Sequence, residues 1–154
     1  MSVLELLESA ICRSMVESEP HMRVVVVGGV AGGMSAAARL RRRDEGAEII
    51  VLERSKYVSF ANCGLPYYVG GEIEDPAKLL LHTPQTLKAA LNLDVRTNSE
   101  VTAINPGAHS IQVTNTETGE AYTLTYDHLI LSPGALASRP PIDGLDSPRV
   151  HTLR

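Results

Sequence analysis

Cys63 sits in the run Val58-Ser59-Phe60-Ala61-Asn62-Cys63-Gly64-Leu65-Pro66-Tyr67-Tyr68, a polar stretch bearing glycine and proline, unlike the apolar face of a periodic element. Free cysteines are more often inert core residues than nucleophiles. Here Ser59 and Asn62 offer hydrogen bonds to a thiolate or to a substrate. A helix beginning just after Cys63 would turn its positive end toward the sulfur, which favours the thiolate. No second cysteine follows at Cys-x-x-Cys or Cys-x-x-x-x-Cys spacing; Tyr68 stands five residues on. The oxidised state of Cys63 is then a mixed disulfide with a small thiol, or a sulfenic acid made by peroxide or oxygen. Cys12, in the N-terminal stretch, is a poor partner.

Upstream lies a glycine loop, Gly28-Gly29-Val30-Ala31-Gly32-Gly33, and Glu53 follows its last glycine by 20 residues. A strand, a glycine loop, a helix, a second strand and an acid at that distance form the dinucleotide fingerprint. The glycines let the backbone turn tightly and approach a pyrophosphate. The helix N-terminus offers it N–H groups and positive potential. The acid accepts from the ribose hydroxyls of the adenosine. The register is Gly28, Val30, Gly33, so valine replaces the middle glycine, and Gly29 and Gly32 supply the missing room. The plain alternatives are a tight turn and a solvated acid at a strand end.

The elements that position these groups follow from the pattern. Arg23 to Val27 is a β-branched run, expected as a strand buried on both faces. Met34 to Arg43 reads as a helix, with Arg39, Arg41, Arg42 and Arg43 at its cation-favouring end and Gly46 as its stop. Ala47 to Leu52 is a second buried strand. Gly70-Gly71 breaks the chain. Asp75-Pro76 and Thr83-Pro84 read as helix starts, and the second helix continues through Leu87 to Leu91. Asp94 to Arg96 is a short strand. Ser99–Asn105, Ser110–Asn115 and Ala121–Tyr126 form an antiparallel meander with turns at Asn105-Pro106-Gly107 and Glu117-Thr118-Gly119. His128 to Leu131 is a further buried strand leading to Ser132-Pro133-Gly134. The fold class expected is α/β: a Rossmann-like domain with a parallel central sheet and an antiparallel β-meander.

Composition excludes several partners. The chain has 154 residues, 44% hydrophobic and 21% charged, with a net charge of -4. Nothing in that balance points to nucleic acid or an acidic lipid surface, and no apolar run reaches the ~20 residues of a membrane span. Two cysteines so far apart fit no zinc spacing and no disulfide scaffold, and a reducing cytoplasm is the expected compartment. Val3, Leu4, Leu7, Ala10, Ile11 and Met15 recur at helical spacing, without the basic start of a secretory signal. Residues 1–21 read as a dispensable extension or leader.

The string Ser59-Phe60-Ala61-Asn62-Cys63-Gly64-Leu65-Pro66-Tyr67, together with the glycine loop, resembles the coenzyme A-disulfide reductases, the single-cysteine branch of the FAD-dependent pyridine nucleotide-disulfide oxidoreductases. The resemblance runs from about Met22 to Arg154. Related NADH oxidases and peroxidases usually carry Leu-Ser where this chain has Ala61-Asn62. Tyr126 to Ala135 resembles the family's second FAD-contacting motif, with Ser132-Pro133-Gly134 in place of the commoner Ala-Thr-Gly. The resemblance implies that Cys63 is the redox nucleophile, forming a mixed disulfide with coenzyme A. It implies that Asn62 and Ser59 line the thiol and pantetheine path, and that Arg42 lies near the coenzyme A phosphates, its plain alternative being a solvated helix face. FAD would be held by Gly28, Gly29, Val30, Ala31, Gly32, Gly33, Glu53, Arg54, the backbone near Glu100-Val101, and Ser132, Pro133 and Gly134.

Family members continue with an NAD(P)H domain, a return to the FAD domain and a dimerisation domain, so the full-length enzyme is expected to be a homodimer. This chain is therefore expected to be a fragment: 22–134 as the N-terminal part of the FAD-binding domain, and 135–154 as a linker toward an NAD(P)H site the chain lacks. Three readings compete: a coenzyme A-disulfide reductase; an NADH oxidase, peroxidase or polysulfide reductase on the same scaffold; and a non-enzymatic nucleotide-binding or redox-sensing module.

Overall fold

The computed structural model describes residues 21–153; the expected N-terminal helix and Cys12 lie outside them. The elements are β1 (Arg23–Val27), α1 (Ala31–Arg41), β2 (Glu48–Leu52), α2 (Leu65–Val69), α3 (Pro84–Leu91), β3 (Asp94–Arg96), β4 (Ser99–Asn105), β5 (Ser110–Asn115), β6 (Ala121–Thr125) and β7 (His128–Leu131). Short 3₁₀ turns cover Asn62–Gly64, Pro76–Leu79 and Pro106–Ala108.

Four strands form a parallel sheet in the order β3-β2-β1-β7, and β4-β5-β6 form an antiparallel sheet. The continuous apolar runs of β1 and β2 follow from this layering, because alternate residues face opposite layers. Val26, Ile49 and Val51 pack with Met34, Ala37 and Leu87 under the helices. Val25, Ile50 and Leu52 pack with Ile111 and Val113 of the meander. Arg96 links the two sheets, donating to Asp94 Oδ2 at 2.7 Å and Tyr122 Oη at 3.2 Å. Burial opposes the Arg96 charge, but those bonds outweigh it and hold the guanidinium above its ordinary pKa.

Several boundaries differ from expectation. α1 starts at Ala31, three residues before Met34, because the glycine loop feeds directly into the helix. It ends at Arg41 with Arg42 as C-cap, and Gly46 is not its stop. The chain turns there because Arg41, 8% exposed, donates to the carbonyls of Asp44, Glu45, Leu91 and Asn92, while Asp44 Oδ1 accepts from the amides of Gly46 and Ala47. Asp75-Pro76 opens only the 3₁₀ turn, with Asp75 capping Ala77. Thr83 does cap α3, reciprocally with Thr86. Asn115 Oδ1 gathers the amides of Glu117 and Thr118 in the β5–β6 turn.

Candidate active site

The chain leaves β1 for β2 on one side and returns through β7 on the other. The sheet order therefore reverses at the carboxyl end of β1, where open α/β sheets hold their ligands. The glycine loop occupies that point. Gly28 N–H donates to Leu52 O at 2.8 Å, and Ser132 N–H donates to Val27 O at 2.8 Å. The loop thus lies between the ends of β2 and β7.

Close approach explains the glycines. Gly28 has φ +105°, and a Cβ there would lie 2.0 Å from the Ser132 carbonyl oxygen. A Cβ on Gly33 would lie 1.8 Å from Gly28 O, and one on Gly32 would lie 2.5 Å from Ser132 Oγ. Val30 stands at the N-cap of α1, and Met34 N–H donates to its carbonyl at 2.9 Å. The amides of Ala31, Gly32 and Gly33 precede that first intrahelical bond and point out of the helix end. No acid occupies the first turn, so its positive potential is not cancelled.

Glu53 is enclosed at the end of β2, 8% exposed. Its Oε2 accepts from Gly29 N–H at 2.8 Å and its Oε1 from Ser55 N–H at 2.9 Å. Arg54 is exposed, its carbonyl accepting from the Thr116 hydroxyl at 3.4 Å. Val101, half-buried in β4, packs against the core cluster containing Val25, Ile50 and Leu52. Pro133 and Gly134 are exposed beyond β7, and Gly134 has φ +72°.

The cysteine segment is attached to this crevice. Ser59 N–H donates to Gly29 O at 2.8 Å, and Val58 is buried against the same glycine. Ser59 is 9% exposed and takes a left-handed φ of +52°, a conformation costing roughly 1–2 kcal/mol for a residue with a Cβ. Phe60 bridges to Leu80, and Ala61 N–H donates to Leu79 O at 2.8 Å, so the arm is braced from the far side. Asn62 and Cys63 stand exposed on the 3₁₀ turn, and Gly64 behind them is buried against Leu79. The helix expected after Cys63 exists, but α2 has only five residues. Arg42 is exposed at the end of α1.

Loop, Glu53, Ser132 and the Ser59 arm thus converge, while Arg54, Val101 and Arg42 contact none of them through a hydrogen bond. An open cleft of about 970 Å³ lies at the amino ends of β2 and β3, lined by Arg41, Glu45, Glu48, Lys88 and Asp94 among others. The glycine loop, Glu53, Ser132, Ser59, Asn62 and Cys63 do not line it. The left-handed Ser59, the Glu53–Gly29 bond and the buried Arg41 were missed in the sequence. Only Arg41 left a signal there: it is seven residues from Met34 and four from Ala37, on the helix face those two bury.

Fold and site define a class, a Rossmann-like α/β protein with an exposed thiol on an arm hydrogen-bonded to its glycine loop. The family model described as pyridine nucleotide-disulphide oxidoreductase matches residues 22–154, and the chain belongs to that family. A coenzyme A disulfide reductase of Staphylococcus epidermidis is 44% identical over 117 residues, covering 76% of this chain and 27% of the relative. The structure of reduced Bacillus anthracis CoADR-RHD is similar with a TM-score of 0.77 and 52% identity, covering 80% of this chain and 22% of that one. An NAD-dependent persulfide reductase from A. fulgidus gives a TM-score of 0.80 at 39% identity, covering 86% and 25%. The chain therefore spans less than a third of the length of these proteins.

Proposed function

We propose that this chain is the FAD-binding part of a thiol–disulfide oxidoreductase that reduces coenzyme A disulfide with NAD(P)H through Cys63. The observation that carries the reading is the Ser59–Gly29 hydrogen bond, which ties the exposed thiol's arm to the glycine loop. The residues fit the cofactor. The loop ends in free helix amides suited to a pyrophosphate, and Glu53 offers a carboxylate for a ribose at the end of β2. Ser132 and Pro133, packed against Gly28, would close the crevice together with Gly134, with Arg54 and the Val101 backbone at its adenosine side. Flavin, when bound, supplies two-electron exchange between a nicotinamide and a disulfide sulfur.

The chain's own part is sulfur chemistry. The Cys63 thiolate attacks one sulfur of coenzyme A disulfide, forming a Cys63–coenzyme A mixed disulfide and expelling one coenzyme A thiolate. Two electrons drawn from NAD(P)H then cleave that S–S bond, releasing the second coenzyme A as thiol and restoring the Cys63 thiolate. Asn62 and Ser59 line the approach of the pantetheine arm, and Arg42 meets the phosphates. The full-length enzyme works as a cytoplasmic homodimer. A persulfide or polysulfide acceptor is the second reading, favoured by the similarity to the persulfide reductase.

The test is intact-mass analysis after incubation with coenzyme A disulfide. The wild type gains one coenzyme A that dithiothreitol removes, and Cys63→Ser gains none. An unmodified wild type, with a persulfide adduct formed instead from polysulfide, transfers the assignment to the second reading.

A further inference from the structure

Glu53 makes contacts that a side chain reserved for a bound nucleotide would not need. Its carboxylate already holds two backbone amides, those of Gly29 and Ser55. The carbonyl of Gly29 in turn accepts the N–H of Ser59. Ser59 is the buried, left-handed residue from which the arm runs on to Asn62 and Cys63. One hydrogen-bonded path therefore joins the end of β2 to the cysteine arm, through a single glycine. That glycine is closely walled: a Cβ on Gly29 would lie 2.9 Å from Glu53 Cβ and 3.1 Å from Val58 Cγ2.

We propose that Glu53 is a positioning residue for the cysteine arm, so that occupancy of the dinucleotide crevice is transmitted to Cys63 through Gly29 and Ser59. This rests on reading the crevice as a dinucleotide site. A carboxylate offers about four lone-pair positions, and the two amides leave room for two more donors, such as the vicinal hydroxyls of a ribose. A ligand bound there anchors the carboxylate from its open side. Gly29 is then held more firmly, and Ser59 with it, so the arm departs less often from its closed position. Without the ligand only the amides hold the carboxylate, and the strained Ser59 is the hinge at which the arm opens.

ADP is the probe, because it carries the ribose and the pyrophosphate but no flavin ring to cover the thiol. The rate of Cys63 alkylation by iodoacetamide is measured on the full chain with and without saturating ADP, alongside calorimetric binding and hydrogen exchange at the Ser59 amide. In the wild type ADP slows alkylation at least about fivefold and protects the Ser59 amide. In Glu53→Gln, whose NH₂ faces one of the two amides it should accept from, saturating ADP loses most of both effects. Ser59→Gly, which keeps the amide and relaxes the hinge, binds ADP and shows the same loss, which covers a failure of the first variant to fold. ADP that binds without changing Cys63, or that slows wild type and variants equally, overturns the coupling and leaves the dinucleotide reading in place. Folded wild type that binds no ADP overturns that reading itself.

Discussion

Gly28 and Gly33 resist substitution for different reasons. At Gly28 the backbone is left-handed and Ser132 blocks the space; at Gly33 the Gly28 carbonyl stands in the way, with Val26 Cγ1 at 3.1 Å beside it. The nearest obstacle at each is backbone, which cannot rotate aside. We expect Gly33→Ala to cost about 2–4 kcal/mol in a denaturant melt, with nucleotide affinity falling alongside. Part of this was legible beforehand. The spacing of loop and acid puts Glu53 just after the second strand, and the structure has it there, enclosed at the carboxyl end of β2. The Glu53–Gly29 bond was not legible, because it joins residues 24 apart through the folded loop and no periodicity marks it. Ser59 was equally hidden, since serine is not a residue whose type announces a left-handed backbone.

At the scale of elements, the arginine run at the end of α1 divides sharply. Arg41 is buried on four carbonyls, whereas its neighbour Arg42 is exposed. Arg41→Leu should destabilise the fold by about 2–3 kcal/mol, because it unbinds carbonyls from two segments at once; Arg42→Ala should change stability by less than about 0.5 kcal/mol. Thr83→Ala removes the reciprocal cap of α3 and should cost about 1 kcal/mol by the same melts. β1 and β2 were legible because burial on both faces writes itself as unbroken valine and isoleucine; β7, expected to be buried as well, is instead half-buried to exposed at the edge of the sheet, with Leu131 57% exposed. Helix ends were less so. Gly32 and Gly33 weaken the helical pattern at the start of α1, yet the turn forms because the loop packs on Ser132. The sequence offers Gly46 as the stop, but Arg41 and Asp44 make the turn with side chains.

For the molecule as a whole, the parallel sheet is a middle layer between helices and meander, and its stability depends on both contacts. Ile50, 1% exposed, faces Ile111 and Val113, so Ile50→Ala should cost about 3 kcal/mol and loosen the meander as well as the sheet. Hydrogen exchange in β5 would report that second effect. Among the described residues no helix is long and apolar enough to cross a membrane. Tyr67, Val69, Leu81 and Leu131 nevertheless stand exposed. The layering also points to where we propose the cofactor sits, since the order of the parallel sheet reverses at the carboxyl end of β1, under the glycine loop. Titration of the purified chain with FAD, followed by flavin fluorescence, tests that placement most directly. We predict saturable uptake approaching one FAD per chain, abolished by Gly33→Ala and weakened by Glu53→Ala. A folded wild-type chain that takes up no flavin at any concentration would contradict it.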